Sequence, residues 1–196
     1  MFVKYTLGLD LGQQNDYTVL TVAEPVFLLD GSLVIKIPYI YRFPLRMSYV
    51  YVVEYLEKFI INRELDEYVL IVDHTGVGRP VVDLLNDYNI NTIGLTITGG
   101  HKSNWSTGRS VTVPKIELIS RLQVAIQCCK LQLAKGVKCL DVLIKELINF
   151  TITSGRGIKM EAASGHHDDT VMSLAMVVWY IEDKLNRSKK LRVIGN

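Results

Sequence analysis

The chain has 196 residues, of which 48% are hydrophobic, and its formal net charge is only +2. This length and composition suit one α/β domain with a full core, and so mild a charge does not by itself indicate a nucleic-acid-binding protein. No apolar run approaches the ~20 residues of a membrane span, and the first residues lack the pattern of a signal peptide, so we expect a cytosolic protein.

The first half of the chain is predicted to begin with three sequential antiparallel strands. Residues 5–11 and 17–24 are rich in Val, Leu and Thr and flank a turn-like GQQND segment, and Leu33–Phe43 follows an Asp-Gly hairpin signal. Ser48 is a candidate N-cap for the first helix. The short apolar run Val69–Asp73 is typical of a central strand that is buried on both faces.

The second half is predicted to alternate helices with short strands. The expected elements are a helix from Pro80 to about Tyr88, a strand at Thr92–Thr98, a helix from Pro114, a strand or helix end at Leu131–Leu133, a helix at Asp141–Asn149, a hairpin at Phe150–Glu161 and a last helix from about Asp168. Residues 99–113 form a polar, Gly-rich loop. This order predicts a single α/β domain with a mixed sheet over residues 1–186, followed by a basic tail at 187–196.

Three acidic positions lie where metal ligands would be needed. Asp10 and Asp73 each end an apolar run, and Asp168 and Asp169 open the last amphipathic segment. Burying a lone carboxylate is expensive, so acids in such surroundings need an explanation. Each acid alone has an ordinary one, as a turn or capping residue. Together, two strand ends and one helix start can converge at a sheet edge, where a divalent metal would neutralise them.

Helical phase distinguishes the two adjacent acids of the last segment. The core face is defined by Val171, Leu174, Ala175 and Val178. Asp168 falls about 60° from Val171, whereas Asp169 falls about 160° away, towards the flank. The phase therefore predicts that Asp168 points at the sheet, while Asp169 completes the coordination or favours the helix N-terminus. The neighbouring His166 and His167 are interpreted as ligands or as solvated turn residues.

The segments LGLDLG, VLIVDHTGVGRPVVDLL and SGHHDDTVMSLAMVVW resemble, in this order, the nuclease domain of tailed-bacteriophage terminase large subunits. That family belongs to the ribonuclease H-like superfamily. The resemblance implies a mixed central sheet of about five main strands flanked by helices, here with a C-terminal hairpin. It also implies a metal-dependent endonuclease that cuts double-stranded concatemeric DNA.

The resemblance assigns roles to the acids. Asp10, Asp73 and Asp168 match the catalytic acids, with Asp169 as a further metal ligand, and the implied cofactors are two Mg²⁺ or Mn²⁺ ions that Asp10 would bridge. Asp16 matches a further acid that the family often carries after the first strand. The implied partners are double-stranded DNA, an N-terminal ATPase motor, a portal protein and a terminase small subunit, in the cytoplasm of the infected bacterial host. This chain has no G-x-x-x-x-G-K-[ST] loop, so ATP-driven translocation is not predicted for it.

Basic residues in two segments are candidates for contacts with DNA phosphates. The candidates are Lys102, Arg109, Lys115, Arg156 and Lys159. Each of them alone is better explained as a solvated charge. Trp105 lies between the first two, where it either stacks on a nucleotide or packs under its own loop.

Three other functions remain open at this level. A Holliday-junction resolvase or a ribonuclease H would use similar acids on a different nucleic acid. An actin-like or sugar-kinase-like ATP-binding domain also begins with an Asp-x-Gly strand and hairpin, although the chain is short for that two-lobed fold. A non-catalytic interaction module would bind partners and cleave nothing.

Overall fold

The computed structural model describes residues 3–12, 15–75, 79–106, 109–154, 158–162 and 167–194. The strands are β1 (Tyr5–Asp10), β2 (Val19–Phe27), β3 (Leu33–Arg42), β4 (Tyr68–Asp73), β5 (Thr92–Thr98), β6 (Asn104–Trp105), β7 (Ser110–Pro114), β8 (Leu131–Leu133), β9 (Phe150–Ser154) and β10 (Ile158–Ala162). The helices are α1 (Tyr49–Asn62), α2 (Arg79–Asp87), α3 (Lys115–Gln127), α4 (Leu140–Asn149) and α5 (Asp169–Ile194).

Eight of these strands form one mixed sheet in the order β6-β7-β5-β4-β1-β2-β3-β8. Strands β1, β2 and β3 are antiparallel neighbours, whereas β4, β5 and β7 run parallel to β1, and β8 runs parallel to β3. Strands β9 and β10 pair separately as a hairpin. The predicted mixed sheet, its three sequential antiparallel strands and the hairpin are confirmed.

Helices cover both faces of the sheet. Successive strand residues point to opposite faces, so each strand contributes side chains to both cores. Leu7, Leu9 and Leu70 face the core beneath α1 and α2. Val69 and Ile71 face the second core, which α3, α4 and α5 cover. Both central strands are therefore buried on two faces, as an unbroken apolar run predicts.

Helix α5 lies directly on β1 and β2 and also packs against α3 and α4. Every residue from Asp169 to Ile181 is buried. Gly8 allows this close approach, since a Cβ there would lie 2.5 Å from the carbonyl oxygen of Ser173. The Ser173 Oγ donates to the Gly8 carbonyl at 2.9 Å and shares a hydrogen bond with Thr21 at 2.8 Å, which fixes the helix on the sheet. Among the described residues, no helix is both long and apolar enough to cross a membrane.

One prediction about local structure was wrong. Residues 99–113 were predicted as a polar loop, but they contain β6 and β7, and β7 pairs with β5. The alternation of Val111 and Val113 with polar residues buries one face of β7, a signal that the surrounding Gly and Ser residues mask. Leu131–Leu133 is a strand paired with β3. Helix α5 also continues to Ile194, across the predicted start of the tail at residue 187.

The carboxylate of Glu117 in α3 links the loop before β6 to α3 and α5 through hydrogen bonds. This carboxylate accepts hydrogen bonds from Ser103 Oγ at 2.5 Å, Arg121 at 2.6 Å and Trp179 Nε1 at 2.9 Å. Burial alone would raise the pKa of Glu117, but these three hydrogen bonds outweigh it and lower the pKa. The ionised carboxylate therefore stabilises the folded chain.

The Glu117→Ala variant is expected to lose about 1–3 kcal/mol of unfolding free energy, because a buried indole N–H and a guanidinium lose their acceptor. The lowered pKa means that this stabilisation is complete above about pH 4.5 and is lost as the pH falls through the folded-state pKa. Urea unfolding at neutral pH and at about pH 3 measures both effects. Glu67→Ala, which removes an exposed carboxylate, is the control. A wild-type urea midpoint at Glu117→Ala would contradict the interpretation.

Candidate metal centre

Asp10 and Asp73 lie side by side at one edge of the sheet. Each is the last residue of its strand, and the parallel pairing of β1 with β4 places them directly opposite each other. Gly8 contacts α5, and Asp10 lies two residues further along the same strand, so its side chain is on the α5 side. Ile71 belongs to the core under α5, and the same argument applies to Asp73. The two carboxylates thus share one face and one edge.

Helix α5 brings its first turn to the same edge. Ser173 is bonded to Gly8, and Asp169 lies one helical turn earlier. Four helical residues rise about 6 Å and two strand residues about 6.6 Å, so the helix start reaches the level of Asp10. Asp168 immediately precedes the helix. The two strand ends and the helix start therefore lie together at one edge of the sheet, as predicted.

The electrostatics of Asp10 reflect this convergence. Burial raises its pKa well above the usual range, and the charges of Asp73, Asp169 and Asp168 raise it further. Lys115 acts in the opposite direction but is outweighed. The pKa of Asp73 is also raised by burial, although the backbone N–H of Thr75 donates to its Oδ1 at 2.8 Å.

The predicted contrast between Asp168 and Asp169 was wrong in direction. Asp169 is the buried residue, with 7% of its surface exposed, and its Oδ2 accepts the backbone N–H of Tyr17 at 3.0 Å. Asp168 is partly exposed and pairs with Lys115 at 2.8 Å. Residue 168 precedes the first helical residue, so a phase of 100° per residue does not apply to it. The residues from Asp169 to Ile181 are buried, so Asp169 does not lie on an exposed flank.

Asp16 and His167 lie beside Asp169. The His167 Nδ1 is 3.5 Å from Asp16 Oδ1 and 3.7 Å from Asp169 Oδ2, and one ligand atom from each of the three lies within 4.8 Å of the others. Burial raises the pKa of Asp169 to about 6, against the Tyr17 hydrogen bond, and the charge of Asp16 raises it too. His167 also packs edge-on against the Tyr17 ring. His166 lies outside the described residues.

Glu146 in α4 is a further acid at the start of α5, which the sequence analysis did not single out. Its carboxylate accepts the backbone N–H groups of Thr170 at 2.8 Å and Val171 at 3.2 Å. Burial raises its pKa to about 7. One signal was present in the sequence, because Glu146 follows the buried Leu143 by three residues and so shares the core face of α4.

The predicted DNA-contacting residues occupy different environments. Lys102 is exposed, and Arg109 is exposed but donates to Asn91 at 2.7 Å. Lys115 lies among the acids instead of on an outer surface. Arg156 lies outside the described residues. Lys159 is in β10, and its side chain is not among those described.

Trp105 packs on α5 instead of standing free for a nucleotide. Its ring stacks on Trp179 with 6.1 Å between centroids, and its Nε1 donates to Asp183 at 3.3 Å. The guanidinium of Arg187 lies 4.9 Å from the Trp105 ring centroid. The structure thus favours the packing interpretation of this tryptophan, with α5 as the surface that it covers.

The donor set at this edge fits a hard divalent cation. Carboxylate oxygens from Asp10, Asp73, Asp168 and Asp169 are the ligand type that Mg²⁺ and Mn²⁺ prefer. Burial and the charges of the other three acids raise the pKa of Asp10, and a single lysine does not offset this repulsion. A divalent cation would remove that repulsion.

Several solved structures with a similar fold are nuclease domains of terminases. The large terminase nuclease of the thermophilic phage G20c, with bound magnesium, is 24% identical and superposes with a TM-score of 0.62 over 90% of this chain and 80% of that chain. The chain has the fold of a terminase nuclease domain. The human cytomegalovirus terminase nuclease domain, soaked with Mn, is 13% identical with a TM-score of 0.55 over 91% of this chain and 83% of that chain.

The predicted ribonuclease H-like fold is therefore confirmed. The HK97 bacteriophage large terminase is 15% identical with a TM-score of 0.57, and the match covers 92% of this chain but only 40% of that protein. No protein-family model and no curated protein matches the sequence. The chain thus shares the terminase nuclease fold with proteins that are 24% or less identical to it in sequence.

Proposed function

We propose that this chain is the metal-dependent nuclease domain of a viral DNA-packaging terminase and hydrolyses phosphodiester bonds in double-stranded concatemeric DNA. The observation that carries the proposal is the paired register of Asp10 and Asp73 beneath the start of α5, where Asp168 and Asp169 join them. The terminase nuclease fold and the magnesium and manganese in related structures support it.

The residues of this chain have distinct roles in the proposal. Asp10, whose pKa is raised by burial and by the charges of Asp73, Asp169 and Asp168, would hold two Mg²⁺ or Mn²⁺ ions together with these three acids. Bound ions supply Lewis-acid activation of water and stabilise the leaving oxygen. Lys115 holds Asp168 in place until substrate and ions bind, and it can then contact a phosphate oxygen, since it is a flexible point charge.

The wider surroundings of the domain are also part of the proposal. Lys102 and Arg109 contact DNA phosphates, which position the duplex without reading its sequence. An N-terminal ATPase motor, a portal protein and a terminase small subunit complete the machine in the cytoplasm of the infected bacterial host. The single eight-stranded sheet favours a nuclease over a two-lobed ATP-binding fold.

The purified chain is expected to nick and linearise supercoiled plasmid with Mn²⁺ and with Mg²⁺, and to leave it intact in EDTA. Gel electrophoresis over time measures this activity. Four-way DNA junctions and RNA–DNA hybrids run in parallel distinguish a resolvase or a ribonuclease H, which would prefer those substrates over plain duplex. An intact plasmid in both metals, at every pH tested, would rule out the proposed activity and favour an interaction module.

A further inference from the structure

Glu146 reaches from α4 to cap a different helix. Its Oε2 accepts the backbone N–H groups of Thr170 at 2.8 Å and Val171 at 3.2 Å, and its Oε1 accepts the Thr170 hydroxyl at 3.2 Å. Only 6% of the residue is exposed. The first N–H groups of a helix have no partner within the helix, so this carboxylate satisfies two donors that would otherwise be buried unpaired.

The capped turn is the one that carries the candidate metal ligands. Thr170 directly follows Asp169, so bonds that fix its N–H and hydroxyl also fix the backbone from which Asp168 and Asp169 project. Ser173 holds the next turn against Gly8 on β1. The first turn of α5 is thus held by α4 on one side and by the sheet on the other, which sets the reach of both carboxylates towards Asp10.

We propose that Glu146 is a positioning residue of the metal centre: its hydrogen bonds to Thr170 and Val171 orient Asp168 and Asp169 for metal binding. This inference rests on the proposed function for its chemistry, but it concerns metal affinity and can be tested without DNA. Groups that orient the ligands of a metal commonly contribute 10- to 100-fold in metal affinity or activity, which is on the order expected here.

Two substitutions separate the hydrogen bonds from the charge. Glu146→Gln keeps the side-chain length, so its amide oxygen can accept both backbone N–H groups and its NH₂ can donate to the Thr170 hydroxyl. It removes only the charge. Glu146→Asp keeps the charge but is one methylene shorter, which withdraws the carboxylate from all three donors. Asp141→Ala removes an exposed carboxylate from the same helix and is the control.

Mn²⁺ binding to each variant is measured by electron paramagnetic resonance of the free ion, well below the melting temperature determined in EDTA. We expect wild-type affinity, within about 3-fold, for Glu146→Gln and Asp141→Ala, and binding weakened by roughly 10-fold or more for Glu146→Asp. A purely structural role would lower the melting temperature of Glu146→Asp in EDTA and leave its Mn²⁺ affinity unchanged, which would overturn the inference.

The remaining outcomes also decide the inference. Binding weakened 10-fold or more in Glu146→Gln would overturn it whatever Glu146→Asp does, because the charge would then be the active feature. A wild-type chain that binds Mn²⁺ but cuts no DNA would contradict the proposed nuclease function. The Mn²⁺ affinities of the variants would still test the positioning role of Glu146. A wild-type chain that binds no Mn²⁺ would overturn both.

Discussion

Replacing Asp10 with asparagine is expected to reduce plasmid cleavage by on the order of 1000-fold, since removal of even one catalytic hydrogen-bond donor costs 100- to 1000-fold in other enzymes. The same substitution is expected to raise the melting temperature of the chain in EDTA. Burial and the charges of three other acids raise the pKa of Asp10, so its ionised form disfavours the fold. A neutral asparagine removes that repulsion at nearly the same volume.

Opposite effects on activity and stability distinguish a metal ligand from a structural residue. Asp83→Asn, on the exposed face of α2, is the matched control and should change neither quantity. Cleavage is followed with Mn²⁺ on supercoiled plasmid, and melting is followed by circular dichroism. Cleavage at the wild-type rate by Asp10→Asn would exclude Asp10 from the centre. Inactivity together with a lower melting temperature in EDTA would indicate a fold defect instead.

Asp10 and Asp73 could be located from the sequence because strand periodicity is local. Each acid ends an unbroken apolar run, and the ends of neighbouring parallel strands meet at one sheet edge. The pairing of β1 with β4 then makes the two acids direct neighbours. Three sequential strands with short turns were accessible for the same reason, since the turn residues and the alternation lie within a few positions of each other.

The environment of the helix start could not be predicted from the sequence because distant segments form it. The N–H of Tyr17 lies 152 positions from Asp169, and Glu146 lies 24 positions from Thr170. Helical phase assumes a helix with one exposed side, but α5 is enclosed to Ile181 by the sheet and two helices. The same limitation applies to β7, whose partner β5 lies across a polar loop.

The acids also predict how the stability of the chain changes with pH. In EDTA, the free energy of unfolding is expected to fall as the pH rises from about 4 to about 8. Burial raises the pKa of Asp169 to about 6 and that of Glu146 to about 7, and the pKa of Asp10 is raised as well. Between the unfolded and folded pKa values the folded chain binds more protons than the unfolded chain, so deprotonation favours unfolding.

The contribution of Asp169 to this effect follows from its pKa shift. The pKa of Asp169 is 3.8 in the unfolded chain and about 6 in the folded chain. This difference corresponds to on the order of 3 kcal/mol of unfolding free energy, at about 1.4 kcal/mol per pKa unit. The pKa of Glu117 is lowered, so this residue changes the stability only below about pH 4.5 and does not mask the trend. Urea unfolding in EDTA at a series of pH values measures the slope. Stability that rises with pH across this window would contradict the raised pKa values.

Saturating Mn²⁺ should oppose the trend, because the ion binds the deprotonated carboxylates and competes with protons. At a free concentration 100 times its dissociation constant, a bound ion adds about 2.7 kcal/mol to the unfolding free energy. The gain should therefore be large at about pH 8 and small at about pH 5, where protons occupy Asp169. Asp10→Asn should abolish most of the gain at both pH values while Asp83→Asn retains it, because only the first substitution removes a proposed metal ligand.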